Sequence, residues 1–116
     1  MPIYIKKPKS LFWTAHSKDK MRFYRLSESR IKRVLHSPKR IEEGIAPDTI
    51  AIMQPQSVKS EMENGKRKEI WTQEIWVMLE ETKKERKIIS AWRYPGMTKA
   101  GEPLPEEILR EMSEIV

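Results

Sequence analysis

The sequence predicts an α+β fold: a short N-terminal strand, two helices packed on an antiparallel sheet of three or four strands, and a C-terminal helix. Three observations predict it. Two short amphipathic helical patterns follow each other between His16 and Pro38. The texture then changes to β-branched and alternating apolar runs, which suit strands. A last helical pattern closes the chain after Pro105. Helices grouped before a run of strands place the helices on one face of the sheet. With 116 residues the chain is one domain, large enough for a single core.

The elements follow in order. Residues 1–10 hold two prolines and three lysines and read as a basic arm, with a short edge strand possible at Ile3–Ile5. Leu11-Phe12-Trp13-Thr14 reads as a short buried strand. The first helix runs from about Ser17 to Tyr24, with Ser17 or Thr14 as its cap; Met21 and Tyr24 share a face. The second starts after Ser27, a good N-cap, with Glu28 in its first turn. Ile31, Val34 and Leu35 form its apolar stripe, and Arg30, Lys32 and Arg33 fill the other face. Ser37-Pro38 ends it, because the residue before a proline disfavours helix.

Arg40–Ile45 and Thr49–Gln54 read as strands. Residues 56–68 are polar with a turn signal at Asn64-Gly65, and fit either a loop or a twisted hairpin. Ile70–Glu80 and Arg86–Tyr94 flank a charged turn. Ile75, Val77 and Leu79 alternate with Trp76 and Met78, so both faces are apolar and this strand is central. In the next strand, strict alternation puts Ile88, Ser90, Trp92 and Tyr94 on one face and Ile89, Ala91 and Arg93 on the other. Residues 95–116 form a loop and a helix from Pro105 to about Ile115, with Ile108, Leu109 and Met112 as its stripe.

Charge is distributed unevenly. From Lys6 to Arg40 there are twelve Lys or Arg against two acids; Ile41 to Val116 carries eleven against fifteen. The helical part should therefore meet something anionic: RNA, DNA or an acidic protein. Cysteine is absent, which excludes disulfides and thiolate metal sites. Two histidines cannot build a zinc site alone. No apolar run approaches the ~20 residues of a membrane span, and the N-terminus lacks a signal-peptide core. A cytoplasmic protein without membrane contact is the expectation. There is no Gly-rich phosphate loop and no metal-ligand cluster, so no cofactor or metal is implied. Of the four Trp, most should be core, with at least one on an interaction face.

The pattern His16-x4-Met21-x2-Tyr24-x-Leu26-Ser27-x3-Ile31-x2-Val34-Leu35-x2-Pro38 resembles the helical half of BrnT-like toxin domains and their uncharacterised relatives, within the RelE-like ribonuclease fold. The strand ending Ala91-Trp92-Arg93-Tyr94 resembles that fold's final strand, where basic and aromatic residues project into the RNA site. The resemblance covers residues 11–94 and implies a metal-independent endoribonuclease, the toxin of a toxin–antitoxin pair, with RNA and an antitoxin as partners. The relatives usually carry Gly in the turn before the Ile/Leu-Ser pair, where this chain has Arg25. An Arg there is strained if the turn needs a positive φ.

RNA self-cleavage needs a base near the 2′-OH, an acid for the leaving oxygen and positive charge at the phosphate. The catalytic candidates are His16, Arg93 and Tyr94. Lys18, Arg22, Arg25, Lys32 and Arg33 are the nucleic-acid-binding candidates. Each has a structural alternative: His16 as a helix cap packed on Trp13, Tyr94 as a core aromatic, the basic residues as a solvated helix face. His36 favours the helix dipole. Three functions compete: an endoribonuclease, a non-catalytic RNA or DNA binder on the same fold, and a module that docks an acidic protein, with an open sheet edge for strand addition. If the first holds, His16 and Arg93 should face one cleft.

Overall fold

The computed structural model describes residues 9–114. The expected edge strand at Ile3–Ile5 and most of the basic arm lie outside this range. The fold is α+β. Its elements are β1 (Ser10–Trp13), α1 (Ala15–Tyr24), α2 (Glu28–His36), β2 (Arg40–Glu43), β3 (Thr49–Pro55), β4 (Lys59–Glu63), β5 (Lys66–Ile70), β6 (Glu74–Glu81), β7 (Glu85–Tyr94) and α3 (Glu106–Ser113).

The main sheet has five strands in the order β1-β7-β6-β3-β2, so β6 is central, as its two apolar faces predict. It is mixed rather than antiparallel, because β1 pairs parallel to β7, Ser10 opposite Glu85 through Trp13 opposite Ile88. Residues 56–68 resolve as part of a separate exposed hairpin, β4–β5, turning at Asn64 (φ 51°) and Gly65 (φ 77°). Paired positive φ values match the twist of a tight hairpin, and Asn-Gly supplies them at low cost.

Two cores sandwich the sheet. On one face Met21, Leu26, Ile31 and Val34 of the helical pair meet Ile52, Ile75, Val77, Leu79, Ile88 and Ala91. On the other, Ile108 and Met112 of α3 cover Ala51, Met53, Trp76, Met78 and Trp92. Trp76 and Trp92 stand opposite across β6 and β7 with rings parallel and centroids 6.1 Å apart. Strict alternation along β7 fails at one point. Met78 pairs with Ser90 but Leu79 pairs with Ile88, so Ile89 is an extra residue in the ladder. This bulge turns Ile88 to the α1–α2 face beside Ala91, while Trp92 and Tyr94 lie on the α3 face.

β1 covers β7 only as far as Ile88, and α1 then runs on beside β7. Thr14 marks the handover. Its backbone N–H and its hydroxyl donate to the Ile88 carbonyl, and its side-chain oxygen accepts from Ser17 N–H as the N-cap of α1. At the other end Tyr24 touches both cores. Its hydroxyl donates to Glu111 of α3 at 2.8 Å, and Lys20 pairs with Glu111 and Glu114. The C-terminal helix is thus tied to α1 around the sheet border. Among the described residues no helix is long and apolar enough to cross a membrane.

Candidate nucleic-acid interface

The α1–α2 turn brings the basic residues together. Helix α1 ends in a Schellman motif: Leu26 N–H donates to the Met21 carbonyl at 2.8 Å and Arg25 N–H to the Arg22 carbonyl at 3.2 Å. Leu26 and Met21 are both buried, which completes the motif's apolar contact. The motif requires a left-handed residue, and that residue is Arg25, at φ 55° and ψ 50°. Ser27 follows as N-cap of α2, accepting from Arg30 N–H at 3.1 Å.

Around this turn lies a cleft of about 580 Å³ lined by Trp13, Lys18, Met21, Arg22, Arg25, Leu26, Ser27 and Glu28. Three of the five predicted binding residues share it. Arg22 is held by Asp19, whereas Lys18 and Arg25 form no ion pair among the described residues. Lys32 lies further along α2, in a second cleft with Lys9, Leu11, Leu35, His36 and Arg86. Arg33 lines a third with Lys32, His36, Ser37 and Gln54.

A second group of side chains makes this end of the molecule unusual. The chain has nine arginines. Arg22, Arg40, Arg86 and Arg110 are paired with acids. Among the described residues Arg25, Arg30, Arg33, Arg67 and Arg93 are not; Arg25, Arg30 and Arg93 lie where α1 ends, α2 begins and β3 and β7 finish, and Arg33 follows Arg30 further along α2. Arg93 donates from Nε to the Tyr24 carbonyl at 2.8 Å and from Nη2 to the Arg25 carbonyl at 3.3 Å, capping the C-terminus of α1. Its Nη1 bonds to Gln56. Arg30 bonds to Gln54 and donates to the Pro55 carbonyl at 3.3 Å. Burial first, then the charges of Arg33 and Arg93, hold the Arg30 guanidinium below its ordinary pKa. The neighbours that orient these arginines are amides and carbonyls, not carboxylates. The cluster therefore keeps its charge and is self-repelling until an anion meets it.

The three catalytic candidates do not meet. His16 sits in the first turn of α1, while Arg93 is bonded at its last residue. Eight residues at 1.5 Å rise separate them by about 12 Å along the helix. Consecutive residues of a strand face opposite sides, so Tyr94 lies on the α3 face, away from Arg93. There its ring fills the space beside Gly96, where a β-carbon would come within 2.6 Å. His16 is half-buried, and its Nε2 is shielded from solvent without a partner among the described residues. It is not the side-chain cap of α1, a role that Thr14 takes.

Sequence reasoning passed over Arg30, which reads there as one of several charges on a helix face. Its significance comes from β3 and β7, whose ends are distant in sequence. Glu74 was also passed over. This fully buried carboxylate accepts from the Trp71 and Trp76 indoles at 2.8 and 3.0 Å and from Thr98 N–H and Oγ1. The pattern Trp71-x2-Glu74-x-Trp76 was the available signal. Compared with family models, curated proteins and solved structures, the chain matches none.

Proposed function

We propose that this protein binds RNA, with the phosphate backbone crossing Arg25, Arg30, Arg33 and Arg93 and continuing into the cleft at Lys18 and Arg22. The observation that carries this reading is the gathering of four arginines with no acid partner among the described residues. Guanidinium groups suit phosphate because they donate in pairs and stay charged. The cleft beside them has an apolar side made by Trp13, Met21 and Leu26, which suits the face of an unpaired base more than a duplex exterior. An acidic protein segment would meet the charges but gain less from that mixture. The chain order, and a late strand delivering Arg93 to the helix pair, agree with the resemblance to the RelE-like fold. The test is binding of a fluorescent single-stranded RNA at low salt. Charge reversal at Arg30 and Arg33 should abolish it; retained binding would rule out this site.

The second reading is cleavage, as the endoribonuclease toxin of a toxin–antitoxin pair. The observation that bears on it is His16, whose half-buried imidazole has an Nε2 shielded from solvent and without a partner among the described residues. His16 and Arg93 do not share a cleft, which counts against a joint catalytic site; this reading therefore leaves proton transfer to His16 alone and backbone positioning to the arginines. Incubation with total RNA in the presence of a chelator tests it. Cleavage leaving 2′,3′-cyclic phosphate, lost in His16→Ala, supports a toxin; intact RNA leaves binding alone.

A further inference from the structure

A second cleft lies on the other face of the sheet, apart from the arginine cluster. This small cleft of about 220 Å³ is lined by Lys39, Arg40, Met53, Trp71, Met97, Thr98, Lys99 and Ala100. No carboxylate lines it. Arg40 is only 6% exposed. Its Nε donates to Glu42 at 2.6 Å and its Nη2 to the Glu102 carbonyl at 2.8 Å, but its Nη1 has no partner among the described residues and is closed off from bulk water. A buried guanidinium donor without an acceptor is costly, so its persistence calls for an acceptor at this place. Lys99 is exposed and forms no ion pair among the described residues. Lys39 sits 5.7 Å over the Trp71 ring and pairs with Glu69 across an exposed edge, where water screens the pair.

The rest of the cleft is apolar and fixed. The Trp71 indole donates to Glu74 at 2.8 Å, and Thr98 N–H donates to the same carboxylate at 2.7 Å. Glu74 therefore holds the ring on one side and the 97–100 segment on the other. Met53 and Met97 complete an adaptable thioether surface. We infer that this cleft binds a phosphate monoester carrying an aromatic or apolar body. A phosphate brings three acceptor oxygens, one for each of Arg40, Lys99 and Lys39, and the body packs against Trp71 and the methionines.

The ester is either a free mononucleotide or the 5′-phosphorylated end of a strand. Calorimetric titration of the full chain separates these, using adenosine 5′-monophosphate, adenosine, and an RNA tetramer with and without a 5′-phosphate. Each lost charge-assisted hydrogen bond should weaken binding about tenfold. The monophosphate should thus bind at least about tenfold tighter than adenosine. Lys99→Ala, an exposed substitution whose fold is checked by its melting temperature, should lower that advantage about tenfold. Arg25→Gln with Arg33→Gln should leave it intact. If the tetramer shows the same preference for a 5′-phosphate, again dependent on Lys99, the ligand is a strand end; if only the monophosphate does, it is a free ester. Equal binding of monophosphate and adenosine, an unchanged Lys99→Ala variant, or loss in the Arg25/Arg33 variant would each overturn the site.

Discussion

Replacing Arg25 by glycine should make the protein more stable and a poorer RNA binder at the same time. Arg25 occupies the left-handed position of the Schellman motif, at φ 55°. A side chain in that region costs about 1–2 kcal/mol, and glycine loses about 0.5–1 kcal/mol more entropy on ordering. The balance is a gain of roughly 0.5–1 kcal/mol. No hydrogen bond or ion pair of the Arg25 side chain is lost among the described residues. Removing its charge also eases repulsion within the cluster, which acts in the same direction. Unfolding entropy of about 2.1 cal/mol/K per residue near 60 °C implies ~0.24 kcal/mol/K for this chain, so the melting temperature should rise about 2–4 °C. Binding to single-stranded RNA should weaken, with the salt slope falling by about 0.7. Arg25→Ala is the control. It loses the charge but keeps the β-carbon, so it should bind like Arg25→Gly and melt close to wild type. Calorimetry and anisotropy on the three proteins decide the matter. An Arg25→Gly protein that melts at or below wild type, or an Arg25→Ala protein that gains as much, would refute the strain argument. Strain held at a candidate binding site in this way fits a recurrent arrangement.

Other outcomes follow from the same geometry. Glu74→Ala strands two indole donors and two Thr98 donors and should cost at least ~3 kcal/mol in urea unfolding; a loss under about 1 kcal/mol would contradict the buried hub. Arg93→Ala uncaps α1 and should cost about 1–2 kcal/mol, with Arg93→Lys recovering part of it; a fully stable Arg93→Ala protein would remove its capping role. Burial first, and then the Glu111 carboxylate, push the Tyr24 phenol up to about 12. Its folded pKa is raised, so its contribution is fully present below the ordinary value near 10 and is lost as pH rises towards 12. Stability should fall in that window and fall less in Tyr24→Phe; identical profiles would contradict the pairing. Deleting residues 105–116 should expose the stacked Trp76 and Trp92 and shift tryptophan emission to longer wavelength, whereas unchanged emission would show that α3 does not cover them.

Much of this architecture was legible because local chemistry agreed with the fold. Ser27, Glu28, the Ile31-Val34-Leu35 stripe and Pro38 delimit α2 by rules that act within a few residues. The all-apolar run from Ile75 to Leu79 required a central strand, and Asn64-Gly65 marked a turn, while the choice between loop and hairpin for residues 56–68 stayed open. What stayed hidden depends on distant partners. β1 is four residues long, and its parallel pairing with β7 has no local signature. The bulge at Ile89 turns Ile88 to the other face with no glycine or proline to announce it. At the site, the sequence put Lys18, Arg22, Arg25, Lys32 and Arg33 on one positive surface, whereas the structure brings the first three to one cleft and sets Lys32 and Arg33 along α2 in others. The sequence could not show that the arginines of three separate segments converge, nor that Arg93 spends two donors on the end of α1. The resemblance raised the question of a positive φ at Arg25, and the structure answers it: the position is left-handed, and an arginine occupies it.

The central claim is that RNA phosphates lie over the arginine cluster. The most direct measurement is the salt dependence of single-stranded RNA binding for wild type and for the triple variant Arg25→Gln, Arg30→Gln, Arg33→Gln. Three lost phosphate contacts should lower the magnitude of the slope of log K against log salt by about 2, with the variant still folded. An unchanged slope and affinity in a folded triple variant would contradict the account.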